Sequence, residues 1–191
     1  MELKEFELFL DDEETLGMEF ISIVEEPAHD SEALKLAQEK VQFAAIEDRQ
    51  MLYGAILIPD IKILRVPEVG DPYYVTMTAE TIQKIAYKFN QEGKQSNIDY
   101  DHTRQIQDGI ALVENWIVED TQMDKAKALG LELPKGTWFG GTHVTDKSKW
   151  EELKLSRRTG FSVDGLLARR EKQNDPLDVI MSKVKDLHSG S

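Results

Sequence analysis

Apolar and polar residues alternate weakly over residues 4–10, and Met18 to Val24 is mostly apolar; both stretches predict strands. The acidic run Asp11 to Glu14 between them predicts a solvated turn. Ser31 to Phe43 places Leu34, Ala37 and Val41 on one helical face. Residues 51–66 carry the apolar run LYGAILIPDIKILRV, whose Ile, Leu and Val content and proline favour strands over a helix. The clearest helix runs from Thr78 to about Gln91, with Ile82, Ile85, Ala86 and Phe89 at helical spacing. Thr78 suits its N-cap, and Gly93 stands where a helix stops.

Three extended segments follow: Ser96 to His102, Ile110 to Val118 and Thr137 to Val144. Asp108-Gly109 predicts a tight connection between the first two. Asp146 can cap a short helix carrying Trp150 and Leu153, and Phe161 to Leu167 again reads as a strand. From Arg169 the chain is polar, with a helix predicted over Pro176 to Leu187. The expected class is α+β, a mixed sheet or barrel with a few helices.

The 191 residues suit one domain with an extension, and 40% hydrophobic content provides for a core. A net charge of −13 argues against nucleic acid as the main partner, because phosphate binding needs a basic surface. The chain has no cysteine, which excludes a thiol nucleophile, a disulfide framework and a thiolate metal site. Its first residues show no apolar signal core and no stretch approaches a membrane span, so a cytosol-like compartment is expected.

Three segments hold candidate chemistry. In SNIDYDH (96–102), strand alternation puts Ile98, Tyr100 and His102 on one face and Asn97, Asp99 and Asp101 on the other. A packed or surface histidine is the plain reading. A metal site of Asp99, Asp101 and His102 is an alternative that the alternation weakens. In the next segment Ile110, Leu112, Glu114, Trp116 and Val118 share a face. A carboxylate in that apolar row costs desolvation energy unless it is paired or reaches water at an edge. In RRTGFSVDG (157–165), Ser162 stands among glycines at 160 and 165, which suits a nucleophile that a substrate backbone approaches closely. It is not the G-x-S-x-G elbow. These residues leave a Ser/His/acid set open beside purely structural roles.

Several stretches together resemble the XkdF-like phage serine protease family of the prohead protease group: ISIVEEPA (21–28), GAILIPD (54–60), YYVTMTAETIQKIAYKF (73–89), the segment ending at His102, VENWIVED (113–120), LPKGTWFGGTHV (133–144) and TGFSVDG (159–165). The resemblance implies an assemblin-like, mainly antiparallel β-barrel surrounded by a few helices. It implies a protease domain over 1–168, with a strand and helix extension over about 1–50, followed by a polar tail over 169–191. It makes Ser162 the nucleophile and His102 the general base. The third member is an acid, Glu114, or by analogy with assemblins a second histidine, His143. Arg157 and Arg158 lie near in sequence and either assist or form a solvated basic loop. No metal or organic cofactor is required. The implied activity is a serine endopeptidase of capsid maturation, cleaving scaffold, capsid-protein extensions and itself inside the prohead in the host cytoplasm. The implied partners are scaffold and major capsid protein, with a homo-oligomer allowed and neither nucleic acid nor membrane. The competing class is a catalytically inactive assembly or scaffolding module that keeps the fold.

Overall fold

The computed structural model describes residues 3–11, 16–25, 43–67 and 69–172. Eleven strands are found there: β1 (Lys4–Phe9), β2 (Gly17–Val24), β3 (Ala44–Ile46), β4 (Met51–Leu57), β5 (Ile63–Arg65), β6 (Tyr73–Thr76), β7 (Ile98–Tyr100), β8 (Ile110–Ile117), β9 (Trp138–Val144), β10 (Gly160–Leu166) and β11 (Ala168–Glu171). Three helices accompany them: α1 (Ala79–Gln91), α2 (Lys125–Ala128) and α3 (Lys147–Leu155). The expected helix over Ser31 to Phe43, the turn at Asp11 to Glu14 and the helix over Pro176 to Leu187 fall wholly or mostly outside the described residues.

The strands form three sheets, in the orders β11-β1-β6-β5, β10-β2-β7 and β3-β4-β9-β8. The α+β class is as expected, but the sheets are open and the described residues close no barrel. Pairing is mostly antiparallel, with two parallel exceptions, β1 with β6 and β2 with β7. The polar residues after 168 include a strand, β11, which pairs with β1 and keeps this part of the chain in the first sheet.

One apolar core fills the space between the sheets and α1. It contains Ile21, Ile23, Leu52, Ile56, Ile82, Ile85, Phe89, Trp138 and Phe161, all buried. Helix α1 forms as its pattern predicts: Thr78 Oγ1 accepts from Thr81 N–H, Ile82, Ile85, Ala86 and Phe89 are buried, and Gly93 takes a positive φ of 69°. Asp146 caps α3 by accepting from Ser148 and Lys149 N–H, and Trp150 and Leu153 are buried. A second cluster, with Met51, Tyr53, Ala55, Val118 and Phe139, covers the other face of the β3-β4-β9-β8 sheet.

Two local departures from the expected pattern move candidate residues. The first is a β-bulge in β8 between Leu112 and Glu114. The extra residue, Val113, is exposed, and the side-chain alternation inverts there. Ile110 and Leu112 face the main core, whereas Trp116 and Val118 join the second cluster. The row from Ile110 to Val118 therefore does not share one face. The second departure is the expected hairpin. Strand β7 pairs with β2, and β8 pairs with β9, so no ladder joins the two. Residues 101–109 form a loop instead of a two-residue turn.

Candidate functional site

The β10-β2-β7 sheet is apolar on one face and polar on the other. Phe161 opposes Ile23, Val163 opposes Ile21, and Ile98 and Tyr100 on β7 continue those rows into the core. One residue out of phase, Ser162 lies directly opposite Ser22, and Ser22 opposite Asp99. Directly opposed residues share a face, with Cβ atoms about 4.5–5.5 Å apart in an antiparallel pair. Ser162, Ser22 and Asp99 thus form one polar row across three strands. All three are buried, Ser22 and Asp99 completely and Ser162 to 6% exposure.

The loop after β7 places a histidine over that row. Asp101, His102 and Arg104 all adopt left-handed φ angles, of 52°, 59° and 56°. Each such non-glycine conformation costs roughly 1–2 kcal/mol and persists where surrounding contacts hold it. The left-handed pair ends β7 at Tyr100 and reverses the expected alternation. His102 leaves the Tyr100 face and reaches the Ser22 side, where its Nδ1 is 3.1 Å from Ser22 Oγ. The sequence pattern had Asp99 and His102 pointing apart. The structure sets both against Ser22, one across the ladder and one by hydrogen bond.

Ion pairs fix this loop at both ends of β10. Arg104 donates through Nε and a terminal nitrogen to the two carboxylate oxygens of Asp164, at 2.7 and 3.0 Å. Arg158, just before β10, donates to Asp101 Oδ2 at 2.6 Å and lies 4.5 Å from the Tyr100 ring centre. Arg158 is thus a structural clamp rather than a free basic residue. Burial pushes the Tyr100 hydroxyl up to about 12, with Glu152 adding to the shift and Arg158 opposing it, so the phenol stays neutral. Beneath the loop, Asp99 Oδ2 accepts from Arg104 N–H at 2.6 Å, and its Oδ1 is buried without a hydrogen-bond partner.

The structure does not bring Glu114 or His143 to His102. After the bulge, Glu114 is paired with Lys125, which also donates to the Tyr53 hydroxyl at 2.8 Å. The Lys125 hydrogen bond holds the Glu114 carboxyl below its ordinary value, against a smaller opposing effect of burial. His143 opposes Met51 on β4, a second-cluster residue. Both candidates therefore lie on the far face of the β3-β4-β9-β8 sheet, and the main core separates them from the Ser22 face. Among the described residues no three His, Asp or Glu side chains are grouped to hold a metal ion, and Asp101 is taken up by Arg158.

Sequence reasoning missed Ser22. Its signal is a single hydroxyl in the apolar run ISIV, an interior polar position that needs a partner. Gly165 also has a different role from the one expected. A Cβ there would sit 2.2 Å from Gly17 O, so the glycine admits the β2 backbone at the β10 bulge rather than a substrate.

A family model described as "Putative phage serine protease XkdF" matches residues 40–171, more than half of the chain. The chain is 30% identical over 119 residues to the phage-like element PBSX protein XkdF of Bacillus subtilis, covering 62% of this chain and 38% of that protein. It is 30% identical over 154 residues to the uncharacterized protein YqbD of the same organism, covering 78% and 42%. The chain thus spans about two fifths of the length of these curated relatives. No solved structure matches it.

Proposed function

This chain belongs to the phage serine protease family of XkdF, and we propose on that footing that it hydrolyses peptide bonds with Ser162 as nucleophile and His102 as general base. The observation that carries the reading is the seat of His102 on Ser22, the residue directly opposite Ser162. With Nδ1 engaged by Ser22, Nε2 is the nitrogen left to serve Ser162. A serine hydroxyl is a weak nucleophile and needs such a base within hydrogen-bond reach. In the proposed reaction Ser162 Oγ attacks the scissile carbonyl while His102 takes its proton. His102 then returns the proton to the leaving amine, and water releases the acyl group by the same route in reverse. Ser22 orients the imidazole, the role the sequence reading gave to Glu114 or His143, and Asp99 adds a carboxylate behind it.

The substrates we propose are phage scaffold and capsid-protein extensions, with processing of the chain itself, inside the prohead. The test is co-incubation of purified protein with the scaffold and capsid proteins of its phage. Wild type yields discrete fragments and Ser162→Ala yields none. Equal fragmentation by both would remove Ser162 from the mechanism. A non-enzymatic assembly module is the second reading. It is favoured by one observation: no hydrogen bond joins Ser162 Oγ to His102 or to any other described residue. In that case neither protein cleaves, and both still bind scaffold.

A further inference from the structure

Strand β10 is an edge strand among the described residues, and a cavity of about 260 Å³ opens beside it. Ser162 belongs to its lining, together with Phe161 and Val163. Apolar side chains on its walls include Met18 from β2, Ile56 and Leu57 from β4, and Met77 after β6. Leu8 and Tyr73 of the first sheet also line it, as do two arginines, Arg65 and Arg169. The volume suits one large aliphatic or aromatic side chain, and taking such a group out of water against apolar walls favours binding.

The arginines are notable for what they do not contact. The chain has 36 acidic residues against 23 basic ones. Neighbouring cations find carboxylates: Arg170 pairs with Glu7, Lys62 with Glu5 and Arg104 with Asp164. Neither Arg65 nor Arg169 forms an ion pair with any described residue. Arg169 instead stacks over Phe6 and Tyr73, 5.1 and 5.3 Å from their ring centres, which holds its guanidinium in place. An arginine held by stacking and without an ion pair among the described residues suits recognition of a carboxylate on a ligand.

We propose that this cavity is the specificity site of the enzyme, and that it takes an extended peptide carrying a large apolar side chain with an acidic residue beside it. The apolar side chain fills the cavity, the carboxylate meets Arg65 and Arg169, and the peptide backbone runs along the outer edge of β10, as a strand added to a sheet edge. The assignment rests on the proposed protease reading only for its claim that the bound peptide is then cut at Ser162.

Binding and cutting are therefore measured separately. Fluorescence anisotropy is recorded for labelled octapeptides on the Ser162→Ala protein, which cannot turn them over. One peptide carries Leu-Glu at its centre, one Gly-Glu and one Leu-Lys. The Leu-Glu peptide is expected to bind at least about tenfold more tightly than either control, and Arg65→Glu with Arg169→Glu is expected to abolish or invert the preference for Glu over Lys. Circular dichroism checks the fold, and the single Arg65→Glu variant, at an exposed position, carries the test if loss of the Arg169 stack unfolds the pair. Equal binding of the three peptides, no binding at millimolar concentration, or a Glu preference that survives charge reversal would overturn the proposal. Wild-type protein is given the same peptides. Selective binding without cleavage would sink the protease reading and leave the specificity site standing, whereas cleavage indifferent to Leu and Glu would do the reverse.

Discussion

Ser22 Oγ lies 3.1 Å from His102 Nδ1, across 80 residues of sequence, and Ser22 is directly opposite Ser162 on the adjoining strand. A hydroxyl therefore occupies the imidazole nitrogen that a carboxylate holds in the commonest serine protease arrangement. If Ser22 positions the base, Ser22→Ala lowers kcat by about 10- to 100-fold with little change in KM. A packing role alone would lower thermal stability and leave kcat of the folded protein unchanged.

The two ion pairs that bracket the loop are expected to act on catalysis through its geometry. Asp101, His102 and Arg104 sit in left-handed conformations, and the Arg104–Asp164 and Arg158–Asp101 pairs offset that strain. Arg104→Ala and Arg158→Ala are each expected to lower kcat about tenfold, with a fold intact by circular dichroism. Raised mobility of residues 101–107 in hydrogen exchange is the second readout. Full activity with unchanged protection would show that the loop holds itself.

Glu114→Gln is expected to leave turnover within about twofold of wild type, since its carboxylate serves Lys125 and Tyr53 on the far face of another sheet. The effect instead falls on stability. The native carboxyl lies below the ordinary 4.5 of glutamate, so the contribution is present above that value and is lost as pH falls through the depressed native pKa. The side chain is 43% exposed, which limits the contribution to about 0.5 kcal/mol. Thermal melts from neutral pH into the acid range check this: the variant is slightly less stable than wild type at neutral pH, and the difference narrows as pH falls below 4.5. A large loss of turnover would restore Glu114 to the catalytic set.

Gly165→Ala should be among the most damaging small substitutions. Its Cβ would meet Gly17 O at 2.2 Å and Met18 Cα at 2.6 Å, both backbone atoms that cannot turn aside. Opening β10 from β2 by enough to admit it is expected to cost about 2–3 kcal/mol and to displace Ser162 from Ser22. A denaturant midpoint within error of wild type would show that the bulge tolerates a side chain.

The strands and helix α1 were legible because their signals are local: period-two runs in β1 and β10, and the Thr78 cap with its four buried positions in α1. Ser162 and His102 stood out through motif context. What escaped the sequence was long-range or depended on a single residue. The bulge at Val113 turned Glu114 from the main core to the second cluster, and no periodicity announces an inserted residue. Left-handed φ at Asp101 and His102 reversed the face of the histidine, although aspartate and histidine tolerate that region better than most residues. Parallel pairing of β7 with β2 joins segments far apart in the chain, so Ser22 had no local sign of a histidine partner.

The central claim is that Ser162 is a nucleophile activated by His102, and covalent labelling tests it most directly. The protein is incubated with excess diisopropyl fluorophosphate over a prolonged time course, digested and mapped by mass spectrometry. The account predicts one organophosphoryl adduct, on Ser162, that is lost in His102→Ala and strongly slowed in Ser22→Ala. An adduct on Ser22 instead, or labelling of Ser162 that is unchanged in His102→Ala, would contradict it.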